Sequence, residues 1–346
     1  MSEKMKSEKI KTTYSYRGFL EDIPFYTKVS KAVKLWRRPD AVWSESDYDG
    51  TVHWYRGGKL HRDGAPAILG KNGREAWYQD GVLHRAGGPA DIDQYGNEKW
   101  YQQGKLHRDG GPAETENYSH KAWYQQGELH RDDGPAHVAN NGEETWYRNG
   151  VKHRDDGPAF EALDGREEWY KDGKLHRDDG PARITKDGDE EWYKDGVLHR
   201  DGGPAKTKKN GYQAWYQNGE LHRDGGPAVA DPEKYEESWY QQGKLHRDDG
   251  PAHTVRIEGN IYDPWHPKHH TDEWYRHGIQ HREDGPAVVD NVWGNKWYHE
   301  GRGYTEVEHA NLLKRIKRDA EQEVTRMEKG STAPMKVMAP LQLRKP

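Results

Sequence analysis

Glu191-Trp192-Tyr193-Lys194-Asp195-Gly196-Val197-Leu198-His199-Arg200-Asp201-Gly202-Gly203-Pro204-Ala205 is the stretch whose reading decides the fold. Asp-Gly tolerates positive φ at both central positions of a type I′ turn, whose twist matches that of two short antiparallel strands. With Asp195-Gly196 at the tip, Lys194 faces Val197, Tyr193 faces Leu198 and Trp192 faces His199. Side chains alternate along a strand, so Trp and His are expected on one face and Tyr and Leu on the other. The same tip recurs as Asp80-Gly81, Asn149-Gly150, Asp172-Gly173 and Asn218-Gly219.

Outward from this stretch the pattern repeats along most of the chain. Trp-Tyr pairs begin at Trp54, Trp77, Trp100, Trp123, Trp146, Trp169, Trp192, Trp215, Trp239, Trp274 and Trp297, spaced by 23 residues except for intervals of 24 and 35. His-Arg follows seven residues after the first ten of these Trp, from His61-Arg62 to His281-Arg282, and Pro-Ala comes next, from Pro66-Ala67 to Pro286-Ala287. A second turn signal lies midway between repeats, at Asn72-Gly73, Asn141-Gly142, Asp164-Gly165, Asp187-Gly188 and Asn210-Gly211. Each unit therefore contributes roughly two strands to an antiparallel meander. One unit buries roughly 10 kcal/mol of apolar surface, whereas ordering its backbone costs about 1–2 kcal/mol per residue. A lone unit cannot fold, and an array sharing interfaces can. The expected fold class is all-β: an elongated antiparallel β-hairpin repeat array, meander or solenoid, with a C-terminal α-helix.

Composition agrees with a repeat array rather than an ordinary globular core. Hydrophobic residues make up 32% of the chain and charged residues 33%, a balance that ordinarily marks disorder. Fifteen Trp and 21 Tyr against three Phe oppose disorder, because amphipathic aromatics supply burial while keeping a polar tip. The net charge of −5, with acids and bases interspersed, gives no polybasic field to recruit nucleic acid or anionic membrane. Zero Cys excludes a disulfide scaffold and thiolate metal sites. No stretch reaches the apolar length of a membrane span, and the charged start lacks a signal-peptide run, so a cytoplasmic protein is expected.

The unit resembles the MORN family of β-hairpin repeats, especially the variant carrying Trp-Tyr-x-x-Gly. It is closer still to the Trp-Tyr-x-x-Gly-x-x-His-Arg-x-x-Gly-Pro-Ala arrays in uncharacterised proteins of large DNA viruses and bacteriophages. The resemblance spans residues 51–303. It implies a scaffold or protein-binding module, in the host cytoplasm if the chain is viral. His-Arg is foreign to the standard MORN pattern.

The chain reads as residues 1–24 flexible, 25–50 an N-terminal cap, 51–303 eleven repeats with an insertion near 255–271, 304–330 a helix and 331–346 a disordered tail. In the cap, Val29, Ala32, Val33 and Trp36 follow helical spacing, although Lys34 to Ala41 also reads as a degraded repeat half. Thr305-Glu306-Val307-Glu308 is a capping box. It opens a helix whose stripe of Val307, Ala310, Leu313, Ile316, Ala320, Val324 and Met327 is expected to cap the last strand or to join two chains as a homo-oligomer.

Ten near-identical copies of His, Arg and Asp point to structure, with His packed against Trp, rather than to a catalytic constellation. The chain has no phosphate-binding glycine motif, nucleophile elbow or zinc-protease helix, and neither an enzyme nor a cofactor is expected. Nucleic acid is not an expected partner either, because Lys206-Thr207-Lys208-Lys209 and Lys314-Arg315-Ile316-Lys317-Arg318 sit among acids. The leading expectation is a non-enzymatic protein-interaction scaffold, and the alternative is an aromatic ladder of Trp for glycans or small ligands. Candidate partner contacts are Tyr262 and Trp265 in the insertion, and Phe160, Arg183 and Lys206 among the variable positions that follow Pro-Ala. His266, His269 and His270 are candidate metal ligands, with Asp263 or Asp272 completing the set.

Overall fold

The computed structural model describes residues 42–257 and 268–328. The segment expected to be flexible, residues 1–24, the helix expected before residue 42 and the tail expected at 331–346 lie outside the described residues. The chain divides into two compact units, residues 1–200 and 201–346, each of which is an antiparallel meander with stacked hairpins.

In the first unit, the repeat around Trp169 shows the construction. Tyr170–Lys171 pairs with Lys174–Leu175, Tyr170 opposite Leu175, around a tip in which Asp172 and Gly173 both have positive φ of 50° and 78°. This is the hairpin and the register expected from Asp-Gly. Glu167–Glu168 belongs to a different sheet: it pairs with Phe160–Glu161 on one side and Arg183–Ile184 on the other. Each unit thus supplies four short strands, two in the meander and two in its own hairpin, rather than two.

The extra strands arise at Trp. The Trp169 N–H donates to the Ala182 carbonyl at 2.7 Å within the meander, and its carbonyl accepts the His176 N–H at 3.0 Å within the hairpin. One residue therefore carries the chain from one sheet into the other. Pro181, which has no N–H to satisfy, stands just before the chain re-enters the meander at Ala182. Successive hairpins are tied by their backbones: the Arg154 N–H donates to the Tyr170 carbonyl at 3.2 Å, and the Gly173 N–H to the Lys152 carbonyl at 2.9 Å.

The tightest point of each repeat is the Ala of Pro-Ala. Ala67, Ala90, Ala113, Ala136, Ala159 and Ala182 are all 0% exposed, whereas every repeat Trp is half-buried. At the start of the unit, Val42–Ser46 pairs along its full length with Val52–Arg56, and buried Trp43 stacks on Tyr55 with centroids 4.1 Å apart. Residues 42–50 thus extend the meander by one strand and its turn.

The second unit repeats the plan around Trp215, Trp239, Trp274 and Trp297. Its 24-residue interval is absorbed by the turn 232–235, where Tyr235 has a φ of 51°. Its 35-residue interval lengthens one strand pair to five residues each, His253–Ile257 with His269–Glu273. Neither meander closes into a barrel.

Helix α1, Glu306–Glu328, follows the last hairpin. The capping box forms as expected: Thr305 donates its N–H to Glu308 at 2.9 Å, and the Glu308 N–H returns to Thr305 Oγ1 at 3.3 Å. The first turns pack on the last hairpin through His309, which is buried and joined through Nε2 to the Arg282 carbonyl at 3.0 Å. The apolar stripe does not all follow: Val307, Ala310, Ile316, Ala320, Val324 and Met327 are exposed. No helix among the described residues is long and apolar enough to cross a membrane.

Enlarging a fully buried Ala forces strand displacement, and overpacking of this kind costs about 1–3 kcal/mol. Ala136→Leu and Ala159→Leu should each lower the melting temperature by several degrees, whereas Leu substituted at exposed Lys121 should not. Thermal unfolding followed by circular dichroism checks this.

Candidate interaction surface

The repeat side chains form a closed set of contacts. From Trp54 to Trp274 an Arg guanidinium lies over each repeat Trp ring, 3.7 Å from the centroid at Trp215 and 4.4 Å at Trp123. The same guanidinium donates to the carbonyl of the following Pro, as Arg85 does to Pro89 at 3.0 Å and Arg223 to Pro227 at 3.0 Å. In the Asp-Asp-Gly repeats it also meets an Asp, as in Arg131–Asp133 at 2.9 Å and Arg247–Asp249 at 2.7 Å. Glycine before Pro leaves room for this plane: a Cβ at Gly134 or Gly180 would lie 2.6 Å from the guanidinium carbon. The first repeat has Ala65 there and keeps its Arg62–Trp54 stack at 3.9 Å, so the flexible end of the Arg can yield.

Arg, rather than the expected His, therefore covers Trp. The His backbone does face Trp across the hairpin, but its ring turns to the next repeat. Nδ1 of His84 accepts the N–H of Gln103 at 3.1 Å, and Nδ1 of His107 accepts that of Gln126 at 3.3 Å. The acceptor serves the first tip residue, whose positive φ is uncommon for Gln. With Nδ1 accepting, the proton of a neutral ring sits on Nε2, which faces an acid two residues on: His107–Asp109 at 3.4 Å, His130–Asp132 at 3.2 Å. Where the tip residue is Asp, its carboxylate joins the same contact, as in His153 Nδ1–Asp172 Oδ1 at 3.0 Å.

A groove runs between neighbouring stacks. One of about 450 Å³ lies between Arg154 and Arg177, bordered by Trp169 and His176. Along it Arg154 pairs with Asp156 and Arg177 with Asp179, and His176 Nε2 lies 3.2 Å from Asp178.

The variable positions after Pro-Ala also meet neighbours in the meander. Arg183 lies between Glu168 at 3.4 Å and Glu191 at 3.5 Å, and Phe160 sits beneath the Lys152 ammonium and the Arg166 guanidinium. Burial first, and then Glu168, push the Tyr170 hydroxyl up to about 12. Lys206 opens a strand opposite Ala214 and is half-buried. His269 and His270, adjacent on one strand, go to different acids: His269 to Asp290 at 3.1 Å and His270 to Asp272 at 2.8 Å. Among the described residues no cluster of three or more His, Asp and Glu could hold a metal ion. Tyr262, Trp265 and His266 lie outside the described residues, as does Asp263.

What the structure exposes instead is the second-turn edge. In a meander all turns of one kind fall on one edge of the sheet. Among the described residues, every large hydrophobic side chain more than half exposed lies either on α1 or in one of these turns: Tyr48, Tyr95, Tyr118 and Leu163 in the first unit, Tyr235 and Trp293 in the second. Their exposure runs from 53% at Tyr235 to 95% at Tyr48. The turns beneath them are held firmly. Asn117 donates its N–H to Asn97 at 2.9 Å and its side-chain amide to the Tyr95 carbonyl at 3.1 Å; Asn140 donates onward to the Asn117 carbonyl at 3.3 Å. Around Trp293, Asp290 accepts the N–H groups of Val292 and Trp293. Burial acts to raise the Asp290 carboxyl, but the Trp293 N–H, the Thr271 hydroxyl, His269 and the Val292 N–H outweigh it and hold the group well below the usual carboxylate range. Ile257 pairs with His269, so the insertion stands in the sequence where other repeats have this turn.

Sequence reasoning singled out the positions after Pro-Ala and the insertion, and passed over these turn residues. Their signal was an apolar or aromatic residue inside a turn motif, as in Asp47-Tyr48-Asp49-Gly50 and Asn117-Tyr118-Ser119. No family model and no curated protein matches the chain.

Two outcomes follow from the histidines. The neutral rings of His84, His107 and His222 should be the Nε2–H tautomer, which long-range proton–nitrogen correlation spectra read directly; a neutral Nδ1–H tautomer would contradict the geometry. His137 and His299 are held below the ordinary His range, chiefly by burial and then by His120 and His281 respectively. The unfolded chain therefore binds these protons near pH 6.5 while the folded chain still resists them, so stability is lost as pH falls below about 6.5. Melting temperatures between about pH 7.5 and 5.5 should show this loss, and H137Q combined with H299Q should make it shallower.

Proposed function

We propose that the chain is a non-enzymatic interaction scaffold whose repeats build a frame and whose second-turn edge presents the contacts to a protein partner. One observation carries this reading: among the described residues outside α1, the large hydrophobic side chains left more than half exposed are confined to that edge within each unit. Exposed aromatics on rigid backbone are what protein interfaces use as anchors, because they bring large area at little entropic cost. The constant residues of the repeat are engaged with one another, so they support rather than contact. Tyr262 and Trp265, which fall in the sequence between the paired strands at Ile257 and His269, are proposed as further contacts. The MORN-like resemblance agrees with a scaffold, and the likeness to viral and phage arrays makes a host or viral protein of the cytoplasm the natural partner.

The alternative, an aromatic ladder for glycans or small ligands, asks for open faces on the Trp rows. An Arg guanidinium lies over each repeat Trp from Trp54 to Trp274, which speaks for the first reading.

Photo-crosslinking amino acids placed at Tyr95, Tyr118 and Leu163 should capture the same protein, and the same probe at the hairpin tips Gln103 and Gln126 should not. Replacing Tyr95, Tyr118 and Leu163 together by Ser should weaken capture at least tenfold while leaving the melting temperature within a degree or two. Equal capture from both edges, or capture unaffected by the triple substitution, would reject the reading.

A further inference from the structure

We infer that the seam between α1 and the last hairpin is a pH-sensitive latch, closed at neutral pH and opened by mild acid as His299 takes up a proton. Three imidazoles meet there. The rings of His281 and His299 have centroids 4.7 Å apart, and those of His299 and His309 6.4 Å apart. They come from three successive elements: the hairpin after Trp274, the hairpin after Trp297 and the start of α1. His281 and His309 are buried and His299 is half-buried.

The three rings are not equally placed to accept a proton. Nδ1 of His281 accepts the Glu300 N–H at 3.1 Å, and its Nε2 faces Glu283 at 3.3 Å. His309 donates through Nε2 to the Arg282 carbonyl at 3.0 Å, a bond that a protonated ring keeps. Nδ1 of His299 is buried and has no hydrogen-bond partner. A proton placed on it is a buried charge without an acceptor. Burial first, and then His281, hold His299 below the ordinary His range; Glu300 and Glu283 pull the other way, and His309 adds to the depression. Arg302, opposite His299 across the hairpin, brings a further cation.

Of the two seams around His299, the helix yields. The neighbouring hairpins are tied by backbone, the Arg282 N–H to the Tyr298 carbonyl at 3.2 Å and the Gly301 N–H to the Gln280 carbonyl at 3.0 Å. Among the described residues one hydrogen bond, that of His309, joins α1 to this pair of hairpins. The positive end of the helix dipole also disfavours a cation beside its first turns. The docked state therefore binds fewer protons than the released one. Docking is at full strength above about pH 6.5 and is lost as pH falls below it. A single proton can weaken it about tenfold between about pH 7.5 and 5.5.

Spin-label distances test this, since the chain has no native Cys. Labels at Asn295→Cys and Gln322→Cys, both exposed positions, should give one narrow distribution at about pH 7.5. By about pH 5.5 a longer, broader one should have grown about tenfold relative to it. His299→Gln should keep the narrow distribution at both, and His137→Gln, in the other unit, should leave the response as it was. Imidazole resonances of the protein with all its histidines should show His299 titrating where the second distribution grows, a readout that stands even if His299→Gln does not dock. Identical distributions at the two pH values overturn the proposal. So does a response that persists in docked His299→Gln, a His299 that titrates apart from the distance change, or a change seen only together with loss of the strand circular dichroism, which marks unfolding rather than release.

Discussion

The guanidinium that lies on each repeat Trp is the contact on which the rest of the repeat depends. A chain with as many charged as hydrophobic residues cannot build a core by excluding charge, so it packs with charge. Arg suits this because its planar, weakly hydrated group stacks on an aromatic face while its edge still donates hydrogen bonds. Here the face meets Trp and the edge meets the carbonyl of Pro. Each stack is worth about 0.5–2 kcal/mol, little alone and substantial when repeated. The surrounding motif follows from it. Gly before Pro makes room for the plane, Pro offers a carbonyl without demanding a partner for an N–H, and Ala lets the meander close tightly beside the ring.

A second constraint links neighbours. Several hairpin tips after the first take a backbone conformation that Gln, His or Glu rarely adopts, and the repeat before supplies a His nitrogen to hold the tip N–H. One edge of each unit is thereby committed to joining repeats: its tip residue changes from repeat to repeat, while the Gly after it and the His of the repeat before it recur. The opposite edge joins strands of the same repeat, and there side-chain bonds such as Asn117 to Asn97 and Asn140 to Asn117 tie neighbouring turns. Turn length and composition change there freely, and that is where Tyr48, Tyr118, Leu163 and Trp293 stand out from the surface.

The end of the second unit applies the same division. The capping box and His309 anchor the first turns of α1, and the remainder carries apolar and charged residues that the hairpin leaves uncovered.

Much of this was legible in the residues themselves. Asp-Gly and Asn-Gly tips, the 23-residue period and the Thr305–Glu308 box determine hairpins, repetition and helix start, because turn chemistry and capping are local and need no knowledge of distant contacts. The hairpin register, Tyr193 opposite Leu198, followed from the tip alone. Three things were decided only by tertiary structure. Trp splits its backbone bonds between two sheets, doubling the strands per repeat, since its N–H finds Ala thirteen residues away. Arg takes the Trp face and His the neighbouring tip, a choice that depends on which ring the next repeat brings within reach. The exposure of the turn aromatics is likewise invisible to pattern: Tyr118 in a turn and Tyr124 in a hairpin are the same residue type six positions apart, and only the folding of strands around them leaves one outside and draws the other in.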